Sequence, residues 1–231
     1  LTFFDPYGTW QTMAMNFEQA RQNMVENQVR PWEVLDARVL DVLARVRRED
    51  FVAPEHRQLA FADVCLPLAH GEVMMKPVLE GRVLQALELT GTERVLEIGT
   101  GSGFLTACLA GLSAAVVSVD IHPDLTQTAA ARLAAAGVSN AQLESGDAVL
   151  SWQPQGPFDV VVLTGAVATL PPRMLSWLVP GGRMLVIRGA SPAQQVALLT
   201  HEGDGRYRDE VLLETDLPYL LHAEPPRQFV F

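Results

Sequence analysis

From Glu93 onward the sequence predicts an α/β fold built on a doubly wound, mostly parallel sheet. Short apolar runs alternate there with helical stretches. Runs such as VVSVD (116–120) and DVVVLT (159–164) are apolar at nearly every position, the pattern of strands covered on both faces. A glycine-rich turn joins the first of these strands to the next helix.

Taken in order, residues 1–14 (LTFFDPYGTWQTMA) show neither a helical nor a strand period. They read either as an upstream or appended segment, with translation starting near Met15, or as an aromatic arm. In the second case Phe3, Phe4, Tyr7 and Trp10 would dock on a partner or on the core. A helix is expected over 16–30, stopped by Pro31. A second runs from the N-cap Asp36 to Arg48, with Val39, Leu40, Val42, Leu43 and Val46 on one face and Arg45, Arg47 and Arg48 at its C-terminal dipole. Residues 51–76 look irregular. Pro77, tolerated at a first helical position, opens a third helix to about Leu89.

Strands are then expected at 94–98, 115–120, 141–144, 158–164 and 183–188, with helices at 103–112, 123–136 and 172–178. A hairpin follows over 195–201 and 207–214, turning at Gly203-Asp204-Gly205. The tail 216–231 has no regular period; its apolar residues Tyr219, Leu220, Leu221, Phe229, Val230 and Phe231 should pack on the sheet or on a second subunit. The chain divides into an N-terminal helical region with an irregular loop (15–76), a sheet domain (77–215) and the tail.

The 231 residues suit one large domain, or a domain with a small appendage. With 48% hydrophobic and 19% charged residues, the chain can bury a sizeable core. Twenty-seven acids against 17 bases leave a charge of −10, which argues against a nucleic-acid partner. Lys76 is the only lysine. Cys65 and Cys108 form neither a disulfide framework nor a metal spacing, and both read as buried thiols in a reducing compartment. No apolar run reaches the roughly 20 residues of a membrane span, and the start lacks signal-peptide features. A cytoplasmic protein without membrane partners is expected. His56, His201 and His222 have no ligand spacing, so no metal is expected, and no serine sits in a nucleophile elbow.

The turn itself, Val95-Leu96-Glu97-Ile98-Gly99-Thr100-Gly101-Ser102-Gly103-Phe104, lets a ligand approach the backbone and the free N–H groups of a helix start. A dinucleotide turn spaces its glycines GxGxxG. Here the third comes one position early, which disfavours a nicotinamide oxidoreductase. Glu97 would repel a pyrophosphate but suits a cofactor carrying an ammonium and a sulfonium. Asp120, followed by Ile121, ends the second strand, where a carboxylate can accept ribose hydroxyls. Asp147, followed by Ala148, comes after the third and can accept from an adenine amino group. S-adenosylmethionine is the cofactor this set predicts, held by Glu97, Gly99, Thr100, Gly101, Ser102, Gly103, Asp120, Ile121, Asp147 and Ala148.

From about Met24 to Glu214 the chain resembles the protein-L-isoaspartate O-methyltransferases. The residues carrying the likeness are Met24-Val25-Glu26-Asn27-Gln28, Arg48-Glu49-Asp50-Phe51-Val52-Ala53-Pro54, His70-Gly71 with Pro77, Val95 to Gly103, and Pro180-Gly181-Gly182-Arg183. The resemblance implies a Rossmann-like, seven-stranded class I methyltransferase sheet with an N-terminal helical addition. It also implies methyl transfer from S-adenosylmethionine, leaving S-adenosylhomocysteine, to the side-chain carboxylate of an isoaspartyl residue in a protein or peptide.

The family's acceptor loop reads approximately Gly-Gln-Thr-Ile-Ser-Gln-Pro, whereas this chain has Gly71-Glu72-Val73-Met74-Met75-Lys76-Pro77. Val73 and Met75 stand where the family has its threonine and its catalytic serine, and neither side chain donates a hydrogen bond. No catalytic residue is therefore assigned. His70, Gly71, Val73, Met75, Lys76 and Thr164 are the expected acceptor-side residues. Lys76 would either orient an anionic acceptor or be solvated; Met74 and Met75 would form a lid over the cofactor or touch the acceptor. His70 would contact substrate or steady its turn without a carboxylate partner, His122 would lie near the adenosine, and Trp152 would edge the adenine pocket or sit in the core. Besides an isoaspartyl enzyme, the altered loop suits a methyltransferase for another acceptor or a non-catalytic cofactor-binding sensor or assembly protein.

Overall fold

The computed structural model describes residues 15–226 together with the strand backbone of 2–4 and 10–12. β1 (Thr2–Phe4) and β2 (Trp10–Thr12) pair antiparallel, a correction to the patternless reading of this segment. Strands of three residues are too short for alternation to show. The expected docking of Phe3, Phe4, Tyr7 and Trp10 lies outside the described residues.

α1 (Phe17–Met24) starts at Asn16, whose side chain accepts from the Gln19 N–H at 3.1 Å. The single helix expected over 16–30 instead changes winding. It widens to a π turn over Val25–Val29 and tightens to a 3₁₀ turn over Arg30–Trp32, ending at left-handed Glu33. α2 (Ala37–Arg45) is capped by Asp36 as expected but stops before Arg48. Arg48 and Glu49 turn inward in a 3₁₀ turn and are buried, so Arg48 does not serve the helix dipole. The stretch expected to be irregular holds a small ladder, β3 (Leu66–Pro67) with β4 (Val73–Met74), ahead of α3 (Pro77–Ala86).

The remaining elements follow the predicted alternation. They are β5 (Arg94–Ile98), α4 (Phe104–Leu112), β6 (Ala115–Asp120), α5 (Pro123–Ala135), β7 (Ala141–Ser145), β8 (Phe158–Val167), α6 (Pro172–Leu175), β9 (Leu178–Arg188), β10 (Gln194–Gly203) and β11 (Arg206–Thr215). α6 is shorter than expected because Leu178 already belongs to β9. The seven strands lie in the order β11-β10-β9-β8-β5-β6-β7. β9, β8, β5, β6 and β7 are parallel, and the β10–β11 hairpin extends the sheet antiparallel beyond β9.

Alternate residues of the central strands enter two cores. Val95, Val160, Val162, Leu185 and Ile187 face α2, α3 and α4. Leu96, Val161, Leu163, Met184 and Val186 face α6 and Trp177. Covering both faces accounts for the unbroken apolar runs. Cys108 is buried in the first core, but Cys65 is exposed, a correction to the reading of both as buried. It sits in the non-regular approach to β3, outside both cores. Residues 217–223 of the tail pack on the sheet, while the expected packing of Phe229, Val230 and Phe231 lies outside the described residues. Gln194 exchanges hydrogen bonds with the backbone of Leu217 (2.8 and 3.0 Å), and Ala166 on β8 pairs with Tyr219. No helix among the described residues is long and apolar enough to cross a membrane.

One buried cation ties the N-terminal region to the sheet. Arg48, fully shielded from solvent, donates to the carbonyls of Ala60 and Met75 (both 2.7 Å) and pairs with Glu80 on α3. Its guanidinium lies 4.7 Å above the Phe104 ring. Burial pushes the Glu80 carboxyl up to about 7 against the pull of that guanidinium. Arg48→Met keeps most of the volume but strips Glu80 of its counter-charge, so urea denaturation at pH 8 should show a loss of about 3–5 kcal/mol. At pH 5 the loss should be smaller, because Glu80 then takes up a proton. An equal loss at both pH values would contradict this account.

Candidate functional site

The site lies at the C-terminal ends of β5, β6, β7 and β8. β5 pairs with β6 on one side and β8 on the other, so the connections diverge there and leave a crevice. Gly99, Gly101 and Gly103 all have positive φ (99°, 52° and 84°), which explains three glycines in five residues. At Gly99 a Cβ would also collide with the Thr164 hydroxyl.

Thr164 reaches the turn because β8 is irregular. Four residue steps from Val162 to Ala166 oppose only two, Leu185 to Ile187, on β9. The surplus pushes Thr164 and Gly165 out over the glycine turn. Thr164 Oγ1 donates toward the carbonyls of Gly99 (2.7 Å) and Ile98 (2.9 Å). Its one proton is thus engaged, and toward a ligand this hydroxyl can only accept.

Two cavities meet at this wall. The larger is a cleft of about 620 Å³, open mouth included, bordered by Asp120, Ile121, Asp147 and Ala148. The smaller spans about 300 Å³, open mouth included, between Met74, Met75, Leu105, Glu80 and Glu97. Val73, Gly99, Gly101 and Thr164 line both.

The three predicted carboxylates are disposed differently. Glu97 does not stand at the strand edge but is fully buried in the smaller cavity. Its Oε2 accepts from Thr106 (2.5 Å) and Ser118 (2.6 Å), while Oε1 has no partner. Burial raises its carboxyl to about 7, opposed by those two hydroxyls. Asp120 braces the turn, accepting from the N–H groups of Gly101 (2.8 Å) and His122 (2.9 Å). Each oxygen keeps a further lone pair toward the cleft. Asp147 accepts from the N–H groups of Val149 and Leu150 through Oδ1, and its Oδ2 lies 2.7 Å from His222 Nδ1.

Several expected residues take other positions. Thr100 Oγ1 pairs with Ser118 (2.6 Å) and Ser102 Oγ accepts from the Phe104 N–H, so both side chains turn inward. Met75 is buried beside the smaller cavity. His70, Gly71 and Lys76 line neither cavity. His70 does have a carboxylate partner, Asp124 at 2.9 Å, supplied by the first turn of α5. Its ring stacks on that of His122 with centroids 4.0 Å apart. Trp152 packs under Gly146 and donates to Glu144. Leu220 and Leu221 complete the cleft wall, and no linear pattern in the tail announced them. Their apolar character alone showed that they needed cover.

Fold and site define a class I S-adenosylmethionine-dependent methyltransferase. A family model described as Protein-L-isoaspartate(D-aspartate) O-methyltransferase (PCMT) matches residues 19–217, and the chain belongs to that family. It is 43% identical over 165 residues to the Myxococcus xanthus protein-L-isoaspartate O-methyltransferase, covering 71% of this chain and 78% of that one. Against protein-L-isoaspartate O-methyltransferase 1 of an Anaeromyxobacter species it is 42% identical over 185 residues, 80% and 85% of the two chains. A Plasmodium falciparum chain described as a protein-L-isoaspartate O-methyltransferase in complex with S-adenosyl-L-homocysteine superposes with a TM-score of 0.75 at 16% identity. That match covers 87% of this chain and 97% of the other, and it shows the shared fold.

The buried Glu97 makes a prediction for the protein alone. Its carboxyl titrates near 4.5 when unfolded and about 7 when folded, so the folded state holds the extra proton between those values. Stability therefore falls as pH rises from 4.5 to 7 and then levels off. Glu97→Gln should flatten that slope by on the order of 3 kcal/mol across the window, read from denaturant midpoints. An unchanged slope would rule out the raised carboxyl.

Proposed function

We propose that this chain methylates the side-chain carboxylate of isoaspartyl residues in proteins or peptides, using S-adenosylmethionine. The observation that carries the reading is the pair of cavities sharing one wall, with an unpartnered carboxylate oxygen in the smaller and two braced carboxylates in the larger. Bound there, S-adenosylmethionine supplies an electrophilic methyl on a sulfonium. The chain's own residues divide the remaining work.

The free Oε1 of Glu97 suits an ammonium group, which would also favour the ionised carboxylate. The spare lone pairs of Asp120 suit ribose hydroxyls. Asp147 can accept an adenine amino group at Oδ2 alongside His222. Gly99 and Gly101, with no side chains, let the backbone come close to the sulfur-bearing middle of the molecule.

The acceptor carboxylate is ionised at neutral pH without help. Catalysis then rests on holding its oxygen in line with the methyl and on keeping water out. Val73 and Thr164, which line both cavities, stand where acceptor and methyl would meet. Buried Met75 supports that position by packing rather than by hydrogen bonding. Half-buried Lys76, next along the loop, supplies the positive charge that draws an anionic acceptor.

The test is transfer of labelled methyl from S-adenosylmethionine to an isoaspartyl peptide beside its aspartyl twin. Label in the isoaspartyl peptide alone is expected. No label, with cofactor binding confirmed by calorimetry, overturns the acceptor assignment, and rescue by Val73→Thr with Met75→Ser would place the fault in the loop. Asp120→Ala should weaken binding of S-adenosylhomocysteine by roughly a hundredfold, since it removes two ribose contacts and loosens Gly101. Unchanged calorimetric affinity would refute that placement.

A further inference from the structure

We propose that His70, His122 and Asp124, with Glu72 beside them, form a binding site for a divalent transition-metal ion of the zinc class at the rim of the cleft. One ring nitrogen of each histidine and one Asp124 oxygen lie within 4.8 Å of one another. His70 Nε2 is 2.9 Å from both Asp124 oxygens, and His122 Nε2 is 3.8 Å from Glu72 Oε1. Two imidazoles and two carboxylates are a donor set that zinc-class ions favour. They come from two places, the turn before β4 and the junction of β6 with α5, which no spacing in the sequence relates.

The decisive feature is His122. Its Nε2 is shielded from solvent and has no hydrogen-bond partner. An ion pair between His70 and Asp124, with the second ring stacked on the first, leaves that nitrogen without a hydrogen bond, its facing carboxylate oxygen on Glu72 standing off at 3.8 Å. A cation accounts for it. Charge points the same way. With both rings neutral the four groups carry two negative charges, which a dication balances.

The geometry requires only side-chain movement. Donors about 2.0–2.2 Å from a tetrahedral ion lie roughly 3.3 Å from each other. The 2.9 Å and 3.8 Å pairs bracket that spacing, and rotation of the exposed His70 and Asp124 side chains closes the wider separations and turns the His70 ring out of its stack on His122, so that both in-plane lone pairs can meet one ion. A bound ion would join the turn that carries His70 to the start of α5, only three residues beyond Asp120. It would thereby hold the acceptor loop against the ribose end of the cleft, without being required for methyl transfer.

Zinc titrated into chelator-treated protein should give a saturable calorimetric signal at one ion per chain. Cobalt should give the visible absorption of a low-coordinate site, reversed by chelator. His70→Ala and Asp124→Asn should each weaken zinc binding by roughly tenfold or more, with thermal melts of the metal-free variants showing that both still fold. No zinc binding at micromolar concentrations overturns the proposal. So does binding whose affinity is the same in both variants as in the parent chain, since it would then lie elsewhere.

Discussion

Arg48 is the constraint on which the site's architecture depends. A guanidinium with no solvent contact is tolerable only where every donor is met and the charge is balanced. Glu80, Met75 and Ala60 supply those partners, each from a different part of the chain. The cost of leaving any of them thus fixes three things together: the segment after α2, the loop proposed to meet the acceptor and the start of α3. Met75, whose carbonyl takes one of those bonds, is held in the wall of the smaller cavity for the same reason. The loop's chemistry differs from the family pattern in its side chains, but its anchorage is made through the backbone.

Above that anchor, β8 controls the wall between the two cavities. Its surplus residues bring Thr164 onto the carbonyl of Gly99, where glycine alone leaves room. The wall is rigid because the turn is held from three sides: by Thr164, by the Asp120 carboxylate and by Gly99 N–H donation to Val119. Rigidity matters for methyl transfer, since the reaction asks for alignment rather than proton movement. The buried carboxylate beneath the wall runs against this economy. Glu97 is half satisfied by two hydroxyls and left with one open oxygen, an arrangement that disfavours its charge until a cation arrives.

The rim is built from different material. The tail closes one side through Leu220, Leu221 and the His222–Asp147 contact; the His70–His122–Asp124 cluster closes the other. Both closures use partly exposed side chains on segments outside the sheet, the parts of a fold that open at lowest cost. A cleft deep enough to shield a sulfonium needs such edges, because its contents must enter and leave.

The amino-acid sequence by itself determined the sheet and the turn. Periodicity and glycine spacing are local properties, so β5 and β6 lie where the apolar runs lie, and Asp36 and Pro77 mark helix starts without reference to distant residues. The presence of Glu97, Asp120 and Asp147 at successive strands was legible for the same reason. Their roles were not. Which oxygen of Glu97 stays open, that Asp147 meets His222, that His70 finds Asp124 and that Arg48 leaves its helix for the core are all decided by partners 32 to 75 residues away or by a hydroxyl on the next strand. Hydrogen bonding and charge are short-ranged in space and indifferent to separation along the chain, so only the tertiary structure could assign them.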